Sequence, residues 1–221
     1  YSGNVTVNNG ILALSGEGGT TNVGASAFTL FGGGTLLLDN ATVNRRDRLA
    51  GQAGITFNGG TFRFVGKEGE ASGENLGAAL IASGAATIDV VNGTSAGSSV
   101  DLKFAGLAPV SGTVNFTAPN GTLGSAGDNP RVFFDGLPAG VMSFATVGSA
   151  PAYYDAEAGV RAFTLSEGTE FDGTADQTGV DTKYTPLNNH LALTAARSVN
   201  SLWIDSPGVG RFVDLGSTGA N

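Results

Sequence analysis

Between Phe28 and Gly66 the chain alternates apolar and polar positions in short bursts, and it does so twice in the same way. Phe28-Thr29-Leu30-Phe31 leads through Gly32-Gly33-Gly34 into Thr35-Leu36-Leu37-Leu38-Asp39. After a polar excursion, Ile55-Thr56-Phe57, Asn58-Gly59-Gly60 and Thr61-Phe62-Arg63-Phe64-Val65 repeat the pattern about 26 residues on, within the range of stacked arrays. Alternation with period two predicts strands with one buried face, and the intervening glycines predict tight turns. Tyr1 to Gly16 fits the same scheme: Val5 and Val7 alternate with Asn4, Thr6 and Asn8, and Asn9-Gly10 turns the chain into Ile11-Leu12-Ala13-Leu14. An Asn-Gly turn by itself favours an antiparallel hairpin. Repetition at a fixed period tilts the reading toward the corner of a β-solenoid.

Further along, strands are predicted at Thr87 to Val91, Val100 to Phe104, Val110 to Thr117, Arg131 to Phe134, Val160 to Leu165, Leu187 to Thr194 and Val199 to Asp205. Leu76 to Ala82, short and apolar, is read as a strand rather than a helix. Glu68 to Asn75 is read as a loop leaving the solenoid body, and Glu167 to Asp181 as an acidic loop. From Pro130 the aromatics Phe133, Phe134, Phe144, Tyr153 and Tyr154 gather, with Pro138 and Pro151 interrupting the ladder. The expected organisation is therefore solenoid rungs over 1–129, rungs with long aromatic and acidic loops or a small lobe over 130–181, and rungs over 182–221 that run on to an uncapped end.

Several segments resemble the autotransporter-associated β-strand repeat of large exported bacterial surface proteins. They are YSGNVTVNNGILALSG at 1–16, FTLFGGGTLLLDN at 28–40, Asn44-Arg45-Arg46-Asp47-Arg48-Leu49, ITFNGGTFRFVG at 55–66, Ile88 to Val91 and Val114-Asn115-Phe116. Phe144 to Val147, Tyr153-Tyr154-Asp155 and Ser198 to Ile204 are similar too, so the likeness covers most of the chain. The resemblance implies an all-β, right-handed parallel β-solenoid (β-helix), exported, and one portion of a long polypeptide. That Tyr1 is first and Met142 is the sole methionine agrees with a processed or excised chain.

Composition narrows the function. Of 221 residues 36 are Gly and only 7 are Pro, so the glycine serves turns rather than a Pro-rich disordered segment. Charged residues make up 14%, against about 25% in an ordinary globular domain, as expected of a secreted or cell-surface β-protein. The net charge of −8 speaks against a nucleic-acid partner, and no apolar run is long enough for membrane insertion. With no cysteine, neither disulfides nor thiolate chemistry enter.

Candidate chemistry is sparse. Arg45, Arg46 and Arg48, interrupted by Asp47, read as a solvated loop. Glu167, Glu170, Asp172, Asp176 and Asp181 supply oxygens that calcium would accept, yet follow no calcium-loop pattern and read as a solvated acidic stretch. Polysaccharide cleavage would need a close carboxylate pair or a base beside a clamp, and no such grouping stands out. The lone His190 reads as a turn or strand-edge residue, and Trp203 as a rung residue. The clustered aromatics are candidates for sugar stacking, with core filling as the plainer reading. Asn4, Asn40, Asn92, Asn115 and Asn120 each head an N-x-T triplet, a glycan acceptor if the host has the machinery. No catalytic residue, cofactor or metal ligand is assigned. The expected role is a non-catalytic extracellular or cell-surface building block that self-associates head to tail through its solenoid ends. An adhesin module binding glycans or another cell surface is the alternative.

Overall fold

The computed structural model describes residues 3–21, 27–49, 51–164, 168–170, 176–184, 191–192, 195–204 and 213–214. All regular structure among them is β, and the chain forms two compact units, Tyr1–Ala162 and Phe163–Asn221.

The first unit is a parallel β-solenoid of about five turns. Its opening coils hold β1 (Val5–Val7) with β2 (Gly10–Ser15), then β3 (Ala27–Phe31) with β4 (Gly34–Asp39). The third coil gains another side, with β5 (Gly54–Asn58), β6 (Thr61–Val65) and β7 (Ala71–Leu76). The fourth carries β8 (Ala79–Ser83), β9 (Ala85–Val91) and β10 (Ser99–Phe104). The fifth carries β11 (Leu107–Pro109), β12 (Thr113–Thr117) and β13 (Pro130–Phe134). Three sheets result. One runs β1-β3-β5-β8-β11, a second β2-β4-β6-β9-β12, and a third β7-β10-β13, every neighbouring pair parallel. The N-terminal strands are thus a solenoid corner and no hairpin. Thr35 pairs with Thr61 and Thr61 with Thr87, steps of 26 residues, which is the period legible in the sequence.

Parallel registration stacks like positions. Leu12, Leu36, Phe62, Ile88 and Phe116 form one inward row and Leu14, Leu38, Phe64 and Val90 the next. From the second coil onward these side chains are fully buried. Phe104 stacks on Phe134 at 5.0 Å between ring centroids, and Phe62 and Phe116 meet those rings edge-on at 6.1 Å. The corner between the first two sheets is equally regular. Gly10, Gly33, Gly59 and Gly84 all have positive φ, a conformation that costs a side-chain-bearing residue about 1–2 kcal/mol.

The parallel stack then changes character. β14 (Gly140–Val147) continues the second sheet beside β12, but β15 (Ala150–Asp155) and β16 (Gly159–Ala162) fold back antiparallel. Met142, Ala152, Tyr154 and Val160 are buried there against the aromatic core. The Tyr154 hydroxyl donates to the Phe134 carbonyl at 2.8 Å and accepts its N–H at 3.1 Å.

The second unit has parallel pairings of its own. β18 (Gln177–Tyr184) lies between β17 (Thr169–Glu170) and β20 (Val199–Ile204), and β19 (Leu191–Ala192) pairs with β21 (Val213–Asp214).

Three expectations need correcting. The stretch Glu68 to Asn75 is no excursion: from Ala71 it is strand β7, and its polar residues Ser72 and Glu74 point inward and are buried. Val110 is no strand residue but an exposed corner position, because the chain turns between β11 and β12. Within Glu167 to Asp181, where a loop was expected, β17 and the start of β18 form instead. β-Branched Thr and Val there outweigh the scattered carboxylates.

Candidate functional site

Two places in the first unit depart from simple rung stacking. One is the end of the stack at β1 and β2. Each is the terminal strand of its sheet and is paired on one side only among the described residues. Val5, Leu12 and Leu14, which occupy core rows, are only half-buried there. They line a groove of about 610 Å³ together with Asn4, Thr6, Thr20, Thr21 and Phe28. An end strand offers unpaired N–H and C=O groups to any strand that fits. At the other end of the parallel stack the second sheet runs on through β14 and β15 to the antiparallel β16 as its terminal strand, and Met142, Ala152, Tyr154 and Val160 there join the core beside Phe116 and Phe134.

The second departure is the 40–49 segment, on the side where the first two coils have no third-sheet strand among the described residues. β7 is the terminal strand of that sheet. The segment lies over its edge and is held by side chains instead of a backbone ladder. Asn44 Nδ2 donates to the Ala71 carbonyl and to Glu70 Oε2, both at 3.0 Å, and Arg46 Nη2 reaches the same carbonyl at 3.4 Å. The Glu74 carboxylate accepts the backbone N–H of Arg48 at 3.1 Å and that of Leu49 at 3.0 Å. Glu74 shares its inward row with Leu102 and Val132, so a carboxylate sits where its neighbours are aliphatic. Burial is the dominant influence on it and raises its pKa to about 7, against the opposing pull of the two N–H bonds.

Arg48 anchors the other side. Its side chain is fully buried. Nη1 donates to the carbonyls of Gly16 (3.0 Å) and Gly19 (2.8 Å), Nη2 to that of Val43 (2.9 Å), and Nε to Asn40 Oδ1. The Asn40 amide nitrogen in turn holds the Arg45 carbonyl at 2.6 Å, and Thr21 N–H bonds the Arg48 carbonyl at 2.8 Å. Desolvation draws the guanidinium below its usual pKa, yet four acceptors in a fixed fork keep it satisfied. The first three coils are thereby stitched along the axis by one arginine and one glutamate. The reading of 45–48 as a solvated loop holds for exposed Arg46 and half-buried Arg45, and fails for Arg48. The signal that could have found it is the pairing of an Arg-rich excursion with a Glu inside an otherwise apolar strand pattern.

The other candidates scatter. Of the aromatics, Phe134 and Tyr154 are core, and Phe144 is half-buried against it. Phe133 and Tyr153 reach the surface with guanidinium groups over their rings, Arg131 at 5.3 Å and Arg161 at 4.4 Å from the centroids. A sugar stacking there would compete with a cation already in place. Arg131 is also forked onto Asp101 at 2.8 and 2.7 Å. Asp176 is exposed and accepts the Ser198 N–H at 3.0 Å, and Asp181 is half-buried. Glu167, Asp172 and His190 lie outside the described residues, and the side chains of Glu170 and Trp203 are likewise outside them. Among the described residues no group of three metal-ligating side chains converges. Of the glycan triplets, Asn40 and Asn92 are buried with their amide nitrogens engaged. Asn120 is half-buried and bonds the Asn92 carbonyl, Asn115 is half-buried and accepts from Thr146, and Asn4 is exposed.

No protein-family model matches the chain, and no curated protein or solved structure matches it.

Proposed function

We propose that the protein is a non-catalytic structural element of the cell exterior, a building block of a stalk, sheath or filament related to autotransporter-associated repeat proteins, with its solenoid ends as working surfaces. The observation that carries this reading is the end at β1 and β2, where core rows open into an apolar groove beside two strand edges that are unpaired among the described residues. A surface that combines unpaired backbone with half-buried Val5, Leu12 and Leu14 fits one more parallel coil. In the second unit β20 and β21 are also terminal strands among the described residues. Pairing of those edges with β1 and β2 of the next copy is a heterologous contact, which propagates instead of closing.

The test is negative-stain electron microscopy of the purified chain over a range of concentrations, beside Leu12→Asp, which places a charge in the groove. Unbranched filaments from the parent chain and short rods from the variant support assembly through this end. Monodisperse rods from the parent chain at high concentration would sink it.

A further inference from the structure

Buried glutamates are uncommon, and Glu74 stands at a mechanical junction rather than in a cleft. It is the single side chain that accepts both the Arg48 and the Leu49 amides, and those amides belong to a segment with no ladder of its own. We propose that the 40–49 segment is a latch over the edge of β7, with Glu74 as its catch, and that the latch loosens as pH rises from mildly acidic toward neutral.

The sign follows from which state prefers the proton. In the closed state Glu74 is enclosed in an aliphatic row, and removing the proton leaves a buried anion compensated chiefly by two amides. In an open state the carboxyl meets water and returns to ordinary acidity. Protonation therefore favours closure, and ionisation favours opening. The pKa of about 7 in the closed form, against 4.5 in water, agrees with that direction. The charged groups that face Glu74 do not reverse it. Asp47 on the latch adds repulsion, and Arg48 on the latch attracts it weakly, since its guanidinium is spent on Asn40 and three carbonyls. Glu70, at the entry to β7, is engaged by Lys67 and Asn44. On β10 the flanking Asp101 and Lys103 sit on the outward positions either side of Leu102, with Asp101 bound by Arg131.

Opening releases Asn44 and Arg46 from the Ala71 carbonyl and uncovers the β7 edge. The test is amide hydrogen exchange on the full chain from pH 5 to pH 8, with each rate divided by its intrinsic value at that pH. Protection of the Arg48 and Leu49 amides should fall on the order of a hundredfold across this range, while Leu36 and Phe62 in the neighbouring sheet stay level. Glu74→Gln, neutral at every pH, should abolish the trend. Protection that is flat in the parent chain, or a Glu74→Gln trend parallel to the parent's, overturns the proposal. Should the variant not fold, the ¹³C shift of the Glu74 carboxyl decides: a midpoint near 7 supports the latch, and one near 4.5 refutes it.

Discussion

Removing the Arg48 side chain is the sharpest perturbation the first unit offers. Arg48→Ala leaves the carbonyls of Gly16, Gly19 and Val43 and Oδ1 of Asn40 without the donors they have now. A buried acceptor that loses its partner costs about 1–3 kcal/mol. Four such losses do not simply add, because the segment relaxes, water enters, and the desolvation of the guanidinium itself is relieved. A net cost of about 4 kcal/mol is expected. Arg48→Met, which keeps the apolar stem, should cost less, about 2–3 kcal/mol. The loss should be local, because a coil in a stacked solenoid is stabilised chiefly by its neighbours. The first two coils should fray while Phe104, Phe116 and Phe134 stay packed. Arg45 and Arg46 make the effect easy to read, since trypsin cuts after each once the segment opens. At one decade per 1.4 kcal/mol, cleavage at these bonds should accelerate by about two to three orders of magnitude in Arg48→Ala. The urea transition of the remaining coils should move far less. Cleavage within tenfold of the parent chain would cap the net stabilisation by the guanidinium at about 1.4 kcal/mol and would refute the reasoning.

Other consequences can be checked more briefly. Gly60→Ala should cost about 2 kcal/mol or more, since a Cβ there would stand 2.6 Å from Leu30 Cβ; Gly10→Ala, strained in φ but with open space around it, should cost about 1 kcal/mol, and urea midpoints rank the pair. Glu68 is held down to about 2, first by the Thr94 N–H and then by Ser95, so its contribution is present above pH 4.5 and fades as pH falls toward 2. Exchange of the Thr94 and Ser95 amides in acid, compared with Glu68→Gln, reports this loss. In a host that glycosylates N-x-T triplets, peptide mapping should find Asn40 and Asn92 unmodified, because each buried amide nitrogen already bonds two acceptors.

Alternation and glycine corners made most of the solenoid legible, because period two and recurrent Gly-Gly or Asn-Gly turns are local signals. Leu76 to Ala82 was recognisable as rung material, and the structure breaks it into the end of β7 and most of β8 with Gly77 and Ala78 between. β7 was missed for a physical reason. Its inward residues are Ser72 and Glu74, and a polar pattern normally marks a solvated loop. Ser72 accepts the Lys67 N–H close by in the chain, but the burial of Glu74 is sustained by partners about 26 residues away, which no window along the chain can see. Arg48 escaped for the same reason: its identity as a core residue rests on carbonyls, and carbonyls carry no sequence signature. The antiparallel turn-back of β14, β15 and β16 was announced only by the gathering of aromatics. Tyr154 differs from Tyr153 by facing the Phe134 backbone, a distinction that alternation alone leaves ambiguous until the register is known.

The two kinds of corner have an evolutionary corollary. Between the first and second sheets the chain turns with Asn8-Asn9, Gly32-Gly33, Gly59-Gly60, Gly84 and Val110 to Gly112, always tightly and mostly through glycine. Between the second and third sheets it takes whatever length it needs, from 66–70 through 92–98 to 118–129. The tight corner works as a keyway that fixes how each rung seats on the last, and the loose one is free to vary in outline. Insertions at 118–129 should therefore leave the pitch of the stack untouched. A solenoid built on this plan can change what it displays along one ridge without retooling the stack beneath it.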